Sequence, residues 1–311
     1  MFNSRTLSRY GRHIFLLKRI KTLAISFFII LAVAASILII FKIKNSVSDE
    51  KRELLQVFNN GEYEKSYEIS KNQLLQRPVD YFLLTINGFS AFQLGISQIN
   101  SQNTLLFIDE CIFSLRKALI RQTSSNNGRI YYVLGKAYGY KGNEYSDLAV
   151  KYLEMASQSY KAADIPEYLG LAYAASGDYR NSVAAFSQAF VPDKPPSDSL
   201  LLSIARSYMA MEEYDMAIGY LRRCVDISPD SKSVAVARLL IAEIYVNTGD
   251  YSSAEEQYFS ILNEFGANAE VHYQLGELYS LQGDTTRARS EWRTAYRLDP
   301  AHVRARARLN I

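Results

Sequence analysis

Histidine, cysteine and tryptophan are scarce in this chain of 311 residues, which has three, two and one of them. His13, His272 and His302 lie far apart, and there is no HExxH, no CxxC and no glycine-rich phosphate loop. These absences exclude the common zinc, dithiol and nucleotide chemistries, and carboxylates such as Glu255 and Glu256 read as solvated helix faces. No catalytic residue, metal site or cofactor is therefore expected. Cys111 and Cys224 have no metal-ligand spacing; they read as small buried residues, with a disulfide left open by their number. Prolines number only seven, so helix breakers are few.

Acidic residues are missing from residues 1–45, which carry eight Lys/Arg, leaving 27 Lys/Arg against 32 Asp/Glu for the remainder. A mildly acidic body argues against nucleic acid as a partner. The basic segment 1–21 leads into twenty uncharged residues, 22–41, long enough as a helix to cross a bilayer core of about 30 Å. The apolar run continues past the small residues Ala32 and Ala34, where a cleaved signal peptide turns polar, so an uncleaved anchor is preferred. Six Lys/Arg precede it, and Asp49, Glu50 and Glu53 follow soon after. The positive-inside rule then predicts a cytoplasmic N-terminus, a linker over 42–48 and an extracytoplasmic remainder.

That remainder repeats. A small residue recurs at Gly135, Gly170, Ala205, Ala242 and Gly276, in steps of 35, 35, 37 and 34 residues. Around these lie Leu134, Leu169, Ile204, Ile241 and Leu275 before, Tyr138, Tyr173, Tyr208, Tyr245 and Tyr279 after, and a turn such as Gly283-Asp284. In the last unit Ala288, Trp292 and Ala295 make the facing stripe, and Pro300 closes the unit. Gly276 and Ala288 are expected where the two helices come closest. This pattern resembles the tetratricopeptide (TPR) repeat, in its membrane-anchored bacterial envelope form.

The resemblance implies an all-α fold: a right-handed TPR superhelical solenoid of antiparallel helix pairs, preceded by one transmembrane helix. Five units are expected within 128–302, at about 128–162, 163–196, 198–231, 235–268 and 269–302. Degenerate TPR-like pairs fill 49–122, with helices Tyr81 to Leu94 and Thr104 to Arg121 joined by a loose segment, Gly95 to Asn103. A short basic tail, 303–311, is long enough only for a short cover on the last pair.

The resemblance further implies a protein-binding groove lined by the first helix of each pair. Matching positions are Tyr132, Lys136 and Tyr140, then Leu171, Arg206 and Met209, then Leu239, Glu243, Tyr273 and Glu277. The tail arginines Arg304, Arg306 and Arg308 form a candidate basic contact patch. The expected function is a non-enzymatic scaffold in a membrane-associated envelope complex of the inner membrane, in secretion, envelope assembly or a periplasmic flagellar motor. A periplasmic TPR chaperone or quality-control factor is the alternative. Expected partners are proteins of such a complex, lipid through residues 22–41, and a second copy of the chain.

Overall fold

The computed structural model describes residues 48–121, 127–192 and 194–311, and they are all-helical. The basic segment, the anchor at 22–41 and nearly all of the 42–48 linker lie outside the described residues; helix already begins at residue 48. Among the described residues no helix is long and apolar enough to cross a membrane. The helices fall into successive antiparallel pairs: α1 (48–59) with α2 (Tyr63–Gln76), α3 (Tyr81–Ile96) with α4 (Ser101–Arg121), and α5 (Gly128–Lys141) with α6 (Ser146–Ser159). There follow α7 (Ile165–Ala175) with α8 (Tyr179–Gln188), α9 (Asp198–Ala210) with α10 (Tyr214–Ile227), α11 (Ser231–Thr248) with α12 (Tyr251–Phe265), and α13 (Ala269–Leu281) with α14 (Thr285–Leu298). A short α15 (Val303–Leu309) packs on α14.

All the pairs except α3–α4 and α5–α6 close through the same turn. The amide of Asp178, Asp250 or Asp284 donates to the carbonyl five residues earlier, on Tyr173, Tyr245 or Tyr279, and the intervening Gly177, Gly249 or Gly283 is left-handed with φ near +80°. The aspartate side chain then accepts from an amide in the first turn of the next helix. The first, degenerate pair uses the same bond, Glu62 to Val57, around Gly61. In the α9–α10 pair the left-handed position falls to Glu212, at φ 60°.

The helices approach closely where small residues permit it. A Cβ on Gly276 would lie 2.4 Å from the Trp292 ring and 3.1 Å from the Ala288 carbonyl oxygen, so the glycine and the Trp292 indole interlock as one contact. Gly135 meets Leu153 at 2.5 Å and Gly170 meets Phe186 at 2.5 Å in the same way. Gly88 on α3 has the same relation to Leu115 on α4, at 2.6 Å. Ala149, Ala217, Ala254 and Ala288 are buried on the second helices. Ser182 takes that place in α8, where its hydroxyl is satisfied by donating to the Gly170 carbonyl at 2.8 Å and bonding Ser207 at 3.0 Å. Cys111 and Cys224 are both buried and free.

Two boundaries differ from expectation, the end of α3, at Ile96 rather than Leu94, and the start of α4. α4 begins at Ser101 rather than Thr104, because Asn100 caps it: its side chain accepts from the Gln102 amide and its carbonyl from Thr104. The loose joining segment shrinks accordingly to residues 97–100. The longer turn after α5 is filled by a 3-10 turn, Asn143–Tyr145.

Candidate functional site

Stacking of the pairs decides which face is inner. First helices touch the first helix of the next pair, as in α3 with α5, α5 with α7, α7 with α9 and α9 with α11, whereas no comparable contact joins successive second helices among the described residues. The first helices therefore line the tighter, concave side, and open clefts lie between them.

One apolar cleft, of about 450 Å³, runs between α5 and α7. Lys136, Gly139, Tyr140, Tyr168, Leu171 and Ala175 line it. Gly139 helps to open it, since a Cβ there would meet nothing within 4 Å. Tyr140 and Leu171 stand 44% and 45% exposed at its mouth, a high value for large apolar side chains on packed helices. Tyr140 is held edge-on against Phe92 with ring centroids 6.0 Å apart, so its orientation is fixed from behind.

Behind this cleft Tyr132 and Lys136 form a polar brace rather than a free contact surface. The Tyr132 hydroxyl donates to Asp164 at 2.6 Å, and the Lys136 ammonium lies 2.9 Å from the Tyr132 oxygen and 3.2 Å from Asp164. It also sits over the Tyr168 ring, 4.0 Å from its centroid. Burial works against the charge on Lys136, but contacts with Tyr132 and Tyr168 outweigh it and hold its pKa above the usual lysine value. Burial, reinforced by Asp164, pushes the Tyr132 phenol up to about 12. Burial alone would raise Asp164, yet its bonds from Tyr132 and Lys136 leave it below the ordinary carboxylate value.

Farther along, Arg206, Met209, Tyr214 and Glu243 line a cleft of about 290 Å³ between α9 and α11. Leu239, Glu243, Glu270, Gln274 and Glu277 line one of about 380 Å³ between α11 and α13. Arg206 and Glu243 are exposed and form no ion pair among the described residues. Glu270 and Glu277 are engaged by α15: Arg304 donates to both Glu270 oxygens at 2.7 and 2.6 Å, and Arg308 donates from Nε to Glu277 at 2.9 Å. His302 accepts from the Ala305 amide through Nδ1 and therefore offers its Nε2 proton to Glu270 at 3.2 Å.

These contacts revise two expectations. Tyr273, matched to the groove, is only 7% exposed: the His302 ring packs on it at 5.1 Å and Arg304 covers its face at 4.7 Å. The arginine patch is likewise divided, because Arg304 and Arg308 turn onto α13 while Arg306 faces solvent. Alternation of arginine with small residues in α15 puts residues 304 and 308 one turn apart on the helix, which is what lets both reach α13.

Residues 127–310 match the family model described as a tetratricopeptide repeat-like domain. The chain belongs to this family. Among solved structures, the C-terminal part of a TPR repeat-containing protein from Cytophaga hutchinsonii is similar at 14% identity and a TM-score of 0.59, covering 82% of this chain and 97% of that one. A tetratricopeptide repeat protein from Parabacteroides merdae is similar at 16% identity and a TM-score of 0.51, covering 83% and 97%. At these identities the likeness shows the fold alone. No curated protein matches the chain. The TPR match starts at α5; before it, the α1–α2 turn has the Gly61 geometry, and Gly88 makes the close glycine contact between α3 and α4.

Proposed function

We propose that this TPR protein is a non-enzymatic scaffold that holds a segment of a membrane-associated envelope protein in its concave groove. Proteins built from such repeats generally mediate protein–protein contacts. The observation that carries the reading here is the cleft between α5 and α7, with Tyr140 and Leu171 exposed at its mouth and braced from behind. A rigid aromatic ring and a leucine beside an apolar cavity suit an apolar side chain of a bound segment. Arg206, Met209, Leu239 and Glu243 extend the surface with both signs of charge. Tyr132 and Lys136 support it, Glu277 borders it, and Tyr273 acts through the seating of α15. The uncharged run 22–41 after a basic leader supports an inner-membrane anchor with the solenoid outside the cytoplasm.

The test places a photo-cross-linking amino acid at Tyr140, at Leu171 and, as a control on the outer side, at Ala184 of α8, in the full chain in intact cells. A scaffold gives one dominant product of constant mass from the two groove positions and little from the control. Equal yields at all three positions reject the groove, and a broad ladder of products from the groove supports the chaperone reading instead. Protease added to spheroplasts removes the solenoid when it is extracytoplasmic; its full protection overturns the proposed topology.

A further inference from the structure

The outer side of the second pair carries a feature that the groove does not use. On α4, Leu106, Phe113 and Ile120 are 65%, 61% and 81% exposed and are spaced by seven residues, so they form one straight apolar line. The opposite side of the same helix, with Ile108, Cys111, Leu115 and Ala118, is buried against the protein. Charges flank the line in a definite order. With 3.6 residues per turn, Asp109 and Arg116 fall on one side of Phe113, and Glu110 and Lys117 fall on the other.

We propose that α4 joins two copies of this chain in an antiparallel pair whose two-fold axis passes beside Phe113. A two-fold axis lying across the helices sets each flank against the same flank of the second copy, run backwards. Leu106 then meets Ile120 of the second copy and Phe113 meets its own equivalent. Asp109 meets Arg116 and Glu110 meets Lys117, so each flank places opposite charges together at both ends. A parallel pairing instead sets Asp109 near Glu110 and Arg116 near Lys117, like against like. The sequence is thus self-complementary in one orientation only. A bilayer surface suits it poorly, since Asp109 and Glu110 would face anionic headgroups. Asp109 already accepts from Lys141 within the chain and keeps more than half of its side-chain surface exposed, so it remains open to a second cation.

One helix pair is smaller than a standard stable interface, so cross-linking reads it better than a size measurement. Cysteine is placed singly at Phe113, Leu106 or Ile120 in the full chain in its membrane, under mild oxidation; the buried Cys111 and Cys224 make the parent chain the blank. The antiparallel pair predicts that F113C cross-links to itself. L106C and I120C do not cross-link alone, because each lies about 21 Å along the axis from its own equivalent, but a mixture of the two does. Adding R116E/K117E to F113C lowers the yield at least tenfold, and mixing that chain with F113C carrying D109K/E110K restores it. Self-cross-linking of L106C, an F113C chain that stays reduced, or a yield indifferent to the charge reversals overturns the proposal. Labelling of F113C by a lipid-phase reagent in place of cross-linking overturns it in favour of a membrane contact. Unchanged far-ultraviolet circular dichroism of each variant shows that the fold is retained. Because α4 lies apart from the groove, the outcome leaves the groove proposal untouched.

Discussion

The close glycine contacts allow one substitution to be set against itself at two sites. Gly276→Ala and Gly139→Ala both exchange glycine for alanine inside a first helix, and each gains about 0.5–1 kcal/mol of helix propensity. At Gly139 nothing opposes that gain, because the new methyl meets nothing within 4 Å. At Gly276 the methyl lands 2.4 Å from Trp292 Cδ1 and Nε1, against an optimal carbon contact of about 3.5–4.0 Å, so the indole must retreat by about 1 Å. Trp292 Nε1 has no hydrogen-bond partner among the described residues, so its retreat breaks packing rather than a polar bond. A displacement of about 1 Å puts the overpacking cost in the upper part of its usual range, about 2–3 kcal/mol, which leaves Gly276→Ala destabilising by about 1–2.5 kcal/mol after the propensity gain. Trp292 is the chain's one tryptophan, so its fluorescence reports unfolding of the last pair without interference. For a urea dependence of about 2 kcal/mol per molar, the Gly276→Ala midpoint falls by about 0.5–1.3 M. Gly139→Ala leaves the fluorescence transition in place and does not lower the transition followed by circular dichroism, since stability in a solenoid is transmitted mainly between neighbours. A Gly276→Ala midpoint equal to or above the wild-type value would refute the interlock of Gly276 with Trp292.

Glu212→Gly should stabilise the α9–α10 pair by about 1 kcal/mol in urea unfolding, because a left-handed φ of 60° is unfavourable for any residue with a Cβ. Phe186→Ala should cost about 3–5 kcal/mol in the same assay, as its fully buried ring fills the space left by Gly170. Docking of α15 should weaken in acid. Burial opposes the charge on Glu270, but bonds from Gln274, Arg304 and His302 hold its pKa below the usual glutamate value, so its contribution is complete above the unfolded pKa and is lost as pH falls through the lower folded one. The hydrogen-exchange protection factors of residues 303–309, corrected for the intrinsic rate at each pH, should therefore fall on acidification in the parent chain and be low already at neutral pH in E270Q; equal protection in both would sink the idea.

Much of the fold is legible in the sequence because TPR units are read from contacts that demand small residues or a left-handed turn. Gly135, Gly170 and Gly276 mark close approaches, and Gly177, Gly249 and Gly283 mark turns, so each glycine has a steric cause. Gly88 escapes the same reading although it does the same job against Leu115, since α4 runs 21 residues and pushes the next marker, Gly135, out of period. The first pair hides for a different reason: its turn keeps Gly61 and the Glu62 amide bond, but no Leu-Gly pair announces it. At the groove, family register places Tyr140, Leu171, Arg206 and Glu243 on an open surface. It does not reveal that Tyr273 is covered, because the covering residues, His302 and Arg304, are about thirty positions away and meet it only through the chain reversal after Pro300. The pairing of Arg304 with Glu270 and Arg308 with Glu277 is legible only afterwards, as two arginines one turn apart on α15 reaching two glutamates about two turns apart on α13.

Internal pairing also sets how a bound segment should respond to salt. Lys136 is satisfied by Asp164, Glu270 by Arg304 and His302, and Glu277 by Arg308, so a partner gains little by replacing contacts already made. Of the groove charges, Arg206 and Glu243 remain unpaired among the described residues; they share one cleft and have opposite signs, so their distant fields largely cancel. Screening over about 8–10 Å at physiological ionic strength therefore removes little attraction, while burial of Tyr140 and Leu171 is insensitive to it. For the partner captured through the Tyr140 cross-link, affinity for the full chain should change less than threefold between 50 and 300 mM NaCl. Truncation of the ring in Tyr140→Ala should weaken it at least tenfold, as removal of a central aromatic contact does. A tenfold loss with salt and indifference to Tyr140→Ala would mean that charge rather than the apolar cleft holds the partner, and would move the binding surface to the exposed arginines of α14 and α15.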